Sequence, residues 1–69
     1  MTHPIANYRQ RHGLTLDQFG AMVGVNRSVV LKWERGALPR GEALARIETA
    51  TEMGVTAEML IRWRVKEAA

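Results

Sequence analysis

The sequence predicts one all-α domain of five short helices spanning residues 1–69, and three observations support this prediction. Apolar residues recur at spacings of three and four, and no segment alternates in the way of a β-strand. Glycines separate the periodic segments, at positions where helices end. The chain has 69 residues and no cysteine, which allows one small core without disulfides.

The first helix is indicated by a proline and an apolar repeat. Pro4 suits the first turn of a helix, where its missing N–H costs nothing. Ile5 and Tyr8 then share one face, with His12 next on it, and Gly13 ends the segment. We expect Ile5 and Tyr8 to face inward, and His12 either to extend this face or to cap the C-terminal end of the helix.

The second helix begins with a capping motif. Thr15 opens the sequence TLDQ, in which its hydroxyl accepts from the amide of Gln18 while the Gln18 side chain reaches back. Gly24 ends the helix in a left-handed conformation. The expected inward stripe consists of Phe19, Met22 and Val23.

The third helix has two faces of different chemistry. Asn26 is a good N-cap, and the helix runs to about Arg35. At about 100° per residue, Val30 and Trp33 point inward, with Val29 on their flank. The opposite arc consists of Arg27, Ser28, Leu31, Lys32 and Arg35. An exposed leucine among cations is the unexpected feature of this arc.

The last two helices follow a short loop bounded by Gly36 and Pro39. Thr56 caps the fifth helix, and Gly54 closes the fourth. The expected inward residues of these helices are Leu44, Ile47, Thr51, Leu60 and Trp63.

Charge is unevenly distributed along the chain, whose net charge is +3. Residues 26–40 contain four basic residues and one acidic residue, whereas residues 41–60 contain four acidic residues and one basic residue. A positive sector beside a negative one is typical of a small protein that meets a polyanion. Chance clustering on a solvated surface is the alternative.

The second and third helices, joined by the turn at residues 24–26, form the αα unit of a helix-turn-helix. In that unit the second helix lies in the major groove of DNA. Arginine there can bind guanine O6 and N7, and an aliphatic group can pack on a thymine methyl. This chemistry gives Leu31 a reason to stand among cations.

Catalytic, metal-binding and membrane functions find no support in the sequence. The two histidines, His3 and His12, are not accompanied by a nucleophile and base at suitable spacing. No cysteine is present to bind zinc, and no apolar run approaches the roughly 20 residues that span a bilayer. We therefore expect no enzyme activity, cofactor, metal, small-molecule ligand or membrane segment, and a cytoplasmic location.

The stretch from Tyr8 to Gly36, YRQRHGLTLDQFGAMVGVNRSVVLKWERG, resembles the helix-turn-helix regulators of the lambdoid phage Cro and repressor type. The following residues resemble the two-helix completion of all-helical Cro-like proteins. The resemblance implies a compact lambda-repressor-like domain whose helix-turn-helix core spans residues 15–36. It also implies a repressor that binds a palindromic double-stranded DNA operator as a homodimer.

The resemblance also implies roles for individual residues. Arg9 and Glu34 would form an ion pair between the first and third helices. Leu16 departs from the glutamine that relatives place there, so phosphate would be held by backbone amides or by Thr15 and Gln18. Gly20 replaces the usual alanine at the closest approach of the two helices. The expected DNA-binding residues are Thr15, Gln18, Asn26, Arg27, Ser28, Leu31, Lys32, Arg35 and Arg40.

Two questions stay open at this point. The fifth helix offers Met59, Ile61 and Trp63 as a dimer surface, but Trp63 could equally close the core. The alternative function is a protein–protein module, such as an antitoxin or a partner-binding regulator, in which Leu31 makes an apolar contact. Salt separates the two functions, because DNA affinity falls steeply with ionic strength and an apolar contact does not.

Overall fold

The computed structural model describes residues 3–68, and five α-helices follow one another in that range. They are α1 (Pro4–Arg11), α2 (Leu16–Val23), α3 (Arg27–Glu34), α4 (Gly41–Ala50) and α5 (Ala57–Ala68). The radius of gyration is 10.8 Å, close to the value of about 11 Å for a compact chain of this length. The prediction of a compact all-α fold is confirmed.

The start of α1 depends on a buried histidine. Pro4 occupies the first turn, as expected, and His3 is the N-cap, whose Nδ1 accepts from the backbone N–H of Ile5 at 3.1 Å. The His3 ring is buried and lies in a T-shaped arrangement with the Trp63 ring, with the ring centroids 4.5 Å apart. This contact joins the start of α1 to α5.

Of the two positions expected for His12, the structure shows the helix cap and not the inward one. His12 is the C-cap residue of α1 and its side chain is exposed, with its ring stacked on Tyr8 at a centroid distance of 4.1 Å. The helix ends at Arg11, so the 3.6-residue periodicity no longer directs the His12 side chain toward the core.

Both hydrogen bonds of the predicted capping box are present at the start of α2. The Gln18 N–H donates to Thr15 Oγ1 at 3.1 Å, and the Thr15 N–H donates to Gln18 Oε1 at 2.8 Å. Gly24 ends the helix with φ of 78°. The inward position expected of Met22 is wrong, because this side chain is exposed at the edge facing α4.

The core lies between all five helices. α2 and α3 each supply two of its large side chains, so the helix-turn-helix unit cannot separate from the rest without exposing apolar surface. The buried apolar residues are Ile5, Phe19, Val23, Val30, Trp33, Ile47, Val55 and Leu60.

The end of α4 differs from the prediction, since the helix stops at Ala50 rather than at Gly54. The buried hydroxyl of Thr51 donates to the Ile47 carbonyl at 2.6 Å and accepts from the Val55 N–H at 3.1 Å, which turns the chain. Gly54 serves close packing instead, because a Cβ there would lie 3.1 Å from the Tyr8 ring.

α5 is fastened at its start and packs on α1. Thr56 caps it as expected, accepting from the Met59 N–H at 3.3 Å. Leu60 is buried, and Trp63 is half-buried beside His3. Within residues 3–68, no helix combines the length and the apolarity needed to cross a membrane.

Candidate nucleic-acid interface

The turn between α2 and α3 passes directly over Gly20. The Val25 N–H donates to the Gly20 carbonyl at 2.9 Å. A Cβ at position 20 would lie 2.5 Å from the Val25 carbonyl oxygen, which is too close without a backbone shift. An alanine would therefore not fit this turn as it stands, and glycine sets the close approach of the two helices.

α3 is anchored at both ends. Asn26 Oδ1 accepts from the Val29 N–H at 3.2 Å, which confirms the expected N-cap. Near the other end, the Arg9 guanidinium donates to the two Glu34 carboxylate oxygens at 2.9 and 3.3 Å. These side chains are only 20% and 12% exposed, so the expected ion pair between α1 and α3 is confirmed and well shielded.

The outer face of α3 is cationic. Arg27, Ser28, Lys32 and Arg35 are exposed, on the side opposite the buried Val30 and Trp33. The structure therefore brings these four predicted residues onto one face of a rigidly held helix.

Leu31 is half-buried rather than fully exposed, which corrects the sequence-based expectation. Residues four positions away on a helix cover one another, and the neighbours of Leu31 at that spacing are Arg27 and Arg35. The aliphatic stem of an arginine at that spacing can shield an apolar neighbour while its charged end stays in water, which agrees with the partial burial of Leu31.

Three predicted residues, Thr15, Gln18 and Asn26, already use a side-chain oxygen to cap a helix. The groups that this leaves for a ligand are donors: the hydroxyl proton of Thr15 and the amide NH₂ groups of the other two. Donors suit a phosphate oxygen, whereas an acceptor would not.

Arg40 lies on the loop between α3 and α4. It is exposed and is the N-cap residue of α4, but its side chain makes no capping hydrogen bond. The predicted site residues thus belong to three segments, namely the start of α2, the whole of α3 and this loop.

An acidic neighbour of the cationic face was not anticipated from the sequence. Asp17 Oδ2 lies 3.7 Å from Arg27 Nη1, and the two side chains are 69% and 64% exposed. They line a surface depression together with Arg9, Thr15 and Leu16. The sequence does contain a sign of this pair, since residues of opposite charge stand at the starts of the two helices of the αα unit.

The buried His3 adds an electrostatic connection to α3. Burial lowers its pKa below the ordinary value of 6.5, and the negative charge of Glu34 raises it in part. In the described part of the chain, no three His, Cys, Asp or Glu side chains are grouped so that they could hold a metal ion.

A family model described as helix-turn-helix matches residues 5–56, which is about three quarters of the chain. The chain belongs to this helix-turn-helix family. The matched segment contains α1 from its second residue, and all of α2, α3 and α4, including the α2–turn–α3 unit and its cationic face. Comparisons with curated proteins and with solved structures give no match.

Membership of this family makes the chain a DNA-binding helix-turn-helix protein. The family is one of DNA-binding regulatory domains. The α2–turn–α3 unit is accordingly the helix-turn-helix, with α3 as its second helix.

Proposed function

We propose that the protein is a sequence-specific transcriptional repressor that binds a palindromic operator as a homodimer, with α3 in the major groove. The observation that supports this most strongly is the two-faced α3. Val30 and Trp33 fix it to the core, while Arg27, Lys32 and Arg35 project from the opposite side. Repression would follow from occupancy alone, since a bound operator excludes polymerase.

The outer face of α3 would read the bases. Arg27 and Lys32 are the proposed guanine ligands, because cationic donors match O6 and N7. Ser28 can donate to or accept from either kind of base pair. Arg35, at the end of the helix, would reach a base edge or a phosphate. Leu31 would pack its exposed part against a thymine methyl.

The residues around α3 would hold the DNA backbone. Asn26 would donate to a phosphate or a base from the start of α3, and Arg40 would approach the backbone from the following loop. Thr15 and Gln18 would donate to a phosphate at the start of α2, where the helix dipole also favours an anion. These contacts would set register and orientation without specifying sequence.

The dimer surface would lie on α5. Ile61 and Val65 are 51% and 65% exposed and stand four residues apart, so they share one side of the helix. Trp63 is a weaker candidate, because its ring packs beside His3. An apolar groove adjoins Ile61 and is lined also by Leu38, Pro39, Leu44, Ala57 and Leu60.

Selection of bound sequences from a random duplex pool tests the proposal. We expect enrichment of two inverted half-sites whose centres lie about one helical turn, roughly 34 Å, apart. We also expect two protomers per operator by analytical ultracentrifugation, and a steep loss of affinity with salt. A pool without enriched sequences would exclude sequence-specific binding.

A protein–protein module is the alternative function, and the apolar groove beside α5 is the observation that favours it. The half-buried position of Leu31 makes that residue a poor centre for a protein contact. Binding of a partner protein that is insensitive to salt, together with DNA binding that lacks sequence preference, would support this alternative.

A further inference from the structure

The carboxylate of Asp17 lies beside the first arginine of the cationic face. Asp17 belongs to the first turn of α2 and Arg27 is the first residue of α3, and their charged atoms are 3.7 Å apart. The only other acidic residue between positions 15 and 40 is Glu34, which is paired with Arg9. Asp17 is therefore the acid that a DNA backbone near Arg27 would meet.

Folding does not account for this pairing. Two charges that are mostly exposed to water contribute little to stability. An aspartate in the first turn does favour the α2 helix through its dipole, but that effect needs no arginine nearby. The position of Asp17 next to Arg27 thus invites an explanation from binding.

We propose that Asp17 is a positioning and specificity-determining residue, which directs Arg27 to guanine and away from phosphate. This inference rests on the proposed function. A phosphate that approaches Arg27 meets the negative charge of Asp17, whereas guanine presents the neutral acceptors O6 and N7. At 3.7 Å the carboxylate attracts the guanidinium without a direct hydrogen bond, so the N–H donors stay available.

The consequence concerns the two ways in which the protein binds DNA. Non-specific binding depends on phosphate contacts, and a cation next to a carboxylate adds little to them. Specific binding keeps the guanine contact of Arg27, so Asp17 lowers operator affinity less than it lowers non-specific affinity. Asp17 would therefore raise the ratio of operator affinity to non-specific affinity, at the expense of some total affinity.

The test compares Asp17→Asn with the parent protein on the selected operator and on a scrambled duplex. We expect tighter binding to the scrambled duplex, with the slope of log K against log salt steeper by about 1. The affinity ratio should fall about two- to fivefold, the size expected for coupling between neighbouring exposed charges. Asp17→Ser, a second variant without the charge, should give the same shift.

Glu52→Gln is the control for net charge. Glu52 is an exposed acid in the turn after α4, outside the cationic face of α3 and outside the proposed dimer surface on α5. The change in net charge is the same, and the affinity ratio should stay that of the parent.

A double-mutant cycle with Arg27→Ala decides whether Asp17 acts through Arg27. We expect Asp17→Asn to leave the affinity ratio unchanged once Arg27 is absent. An undiminished effect in that background would overturn the inference, as would an equal gain on both duplexes in the single variant. A parent protein with no operator preference would instead overturn the proposed function itself.

Discussion

His3 connects three helices through one buried imidazole. Its Nδ1 caps α1, its ring lies against Trp63 of α5, and its pKa responds to Glu34 of α3. The capping hydrogen bond requires an unprotonated Nδ1. Burial favours the same neutral form, because a charged ring held away from water costs free energy.

The stability of the protein should accordingly fall in mild acid. The pKa of His3 in the folded state lies below 6.5, so its contribution is complete above pH 6.5 and is lost as the pH falls through the lower folded pKa. We expect this loss in urea unfolding measured from about pH 8 to about pH 5, above the range where carboxylates titrate.

His3→Asn retains a side-chain acceptor for the Ile5 N–H and does not titrate, so its stability should vary less over that interval. An equal acid loss in His3→Asn and in the parent would rule out His3 as the source.

In the proposed complex, the exposed part of the Leu31 side chain would be buried against a thymine methyl. Leu31→Ala should weaken operator binding by about 0.8 kcal/mol for each methylene-sized group withdrawn from the interface. Part of that loss should disappear when one thymine of the half-site is replaced by uracil, which lacks only the methyl. Affinities of the four combinations form a double-mutant cycle.

The expected non-additivity identifies the thymine that Leu31 contacts. A thymine outside the half-sites serves as the control and should give additive effects. Additivity at every thymine within the half-site would show that Leu31 makes no methyl contact.

At the scale of elements, the junction of α2 and α3 depends on Gly20. Alanine is the better helix former by about 1 kcal/mol, but its Cβ would meet the Val25 carbonyl oxygen at 2.5 Å. We expect Gly20→Ala to destabilise the protein by about 1–3 kcal/mol in spite of the helix propensity, because the turn must move.

Ala21→Gly measures the propensity term separately, since Ala21 is exposed on the same helix. Urea unfolding of the two variants and the parent gives the comparison. A Gly20→Ala variant that is more stable than the parent would mean that the turn relaxes without cost.

The starts of α2 and α3 were predictable from the sequence because their signals are local. The bonds between Thr15 and Gln18 and the Asn26 cap involve residues three positions apart, so a short motif contains all the information. The end of α4 was not predictable in this way, because it depends on the hydroxyl of Thr51, which becomes buried only in the folded protein.

The two faces of α3 were predictable to a similar extent. A helical wheel separates Val30 and Trp33 from the cationic arc, and the structure agrees. A wheel describes one helix at a time, so it could not place Asp17 of α2 beside Arg27 of α3. It also could not show His3 packed against Trp63, which is distant in sequence.

At the scale of the whole molecule, charge gives the protein an orientation. The basic residues of 26–40 include the face of α3, whereas exposed acids such as Glu42, Glu52 and Glu58 lie on the segments that follow. The net charge of +3 lies within residues 26–40, so the attraction of a polyanion is concentrated on the segment that contains α3, and this steers association.

The most direct test of the central claim, that the outer face of α3 reads DNA, is the operator affinity of single alanine variants. Arg27→Ala and Lys32→Ala should each lose about 1–3 kcal/mol of binding free energy if they contact bases. Arg11→Ala removes an exposed cation from the end of α1, away from α3 and from the proposed dimer surface, and should stay within about 0.5 kcal/mol of the parent. If all three variants bound the operator as tightly as the parent, α3 would not be the reading helix.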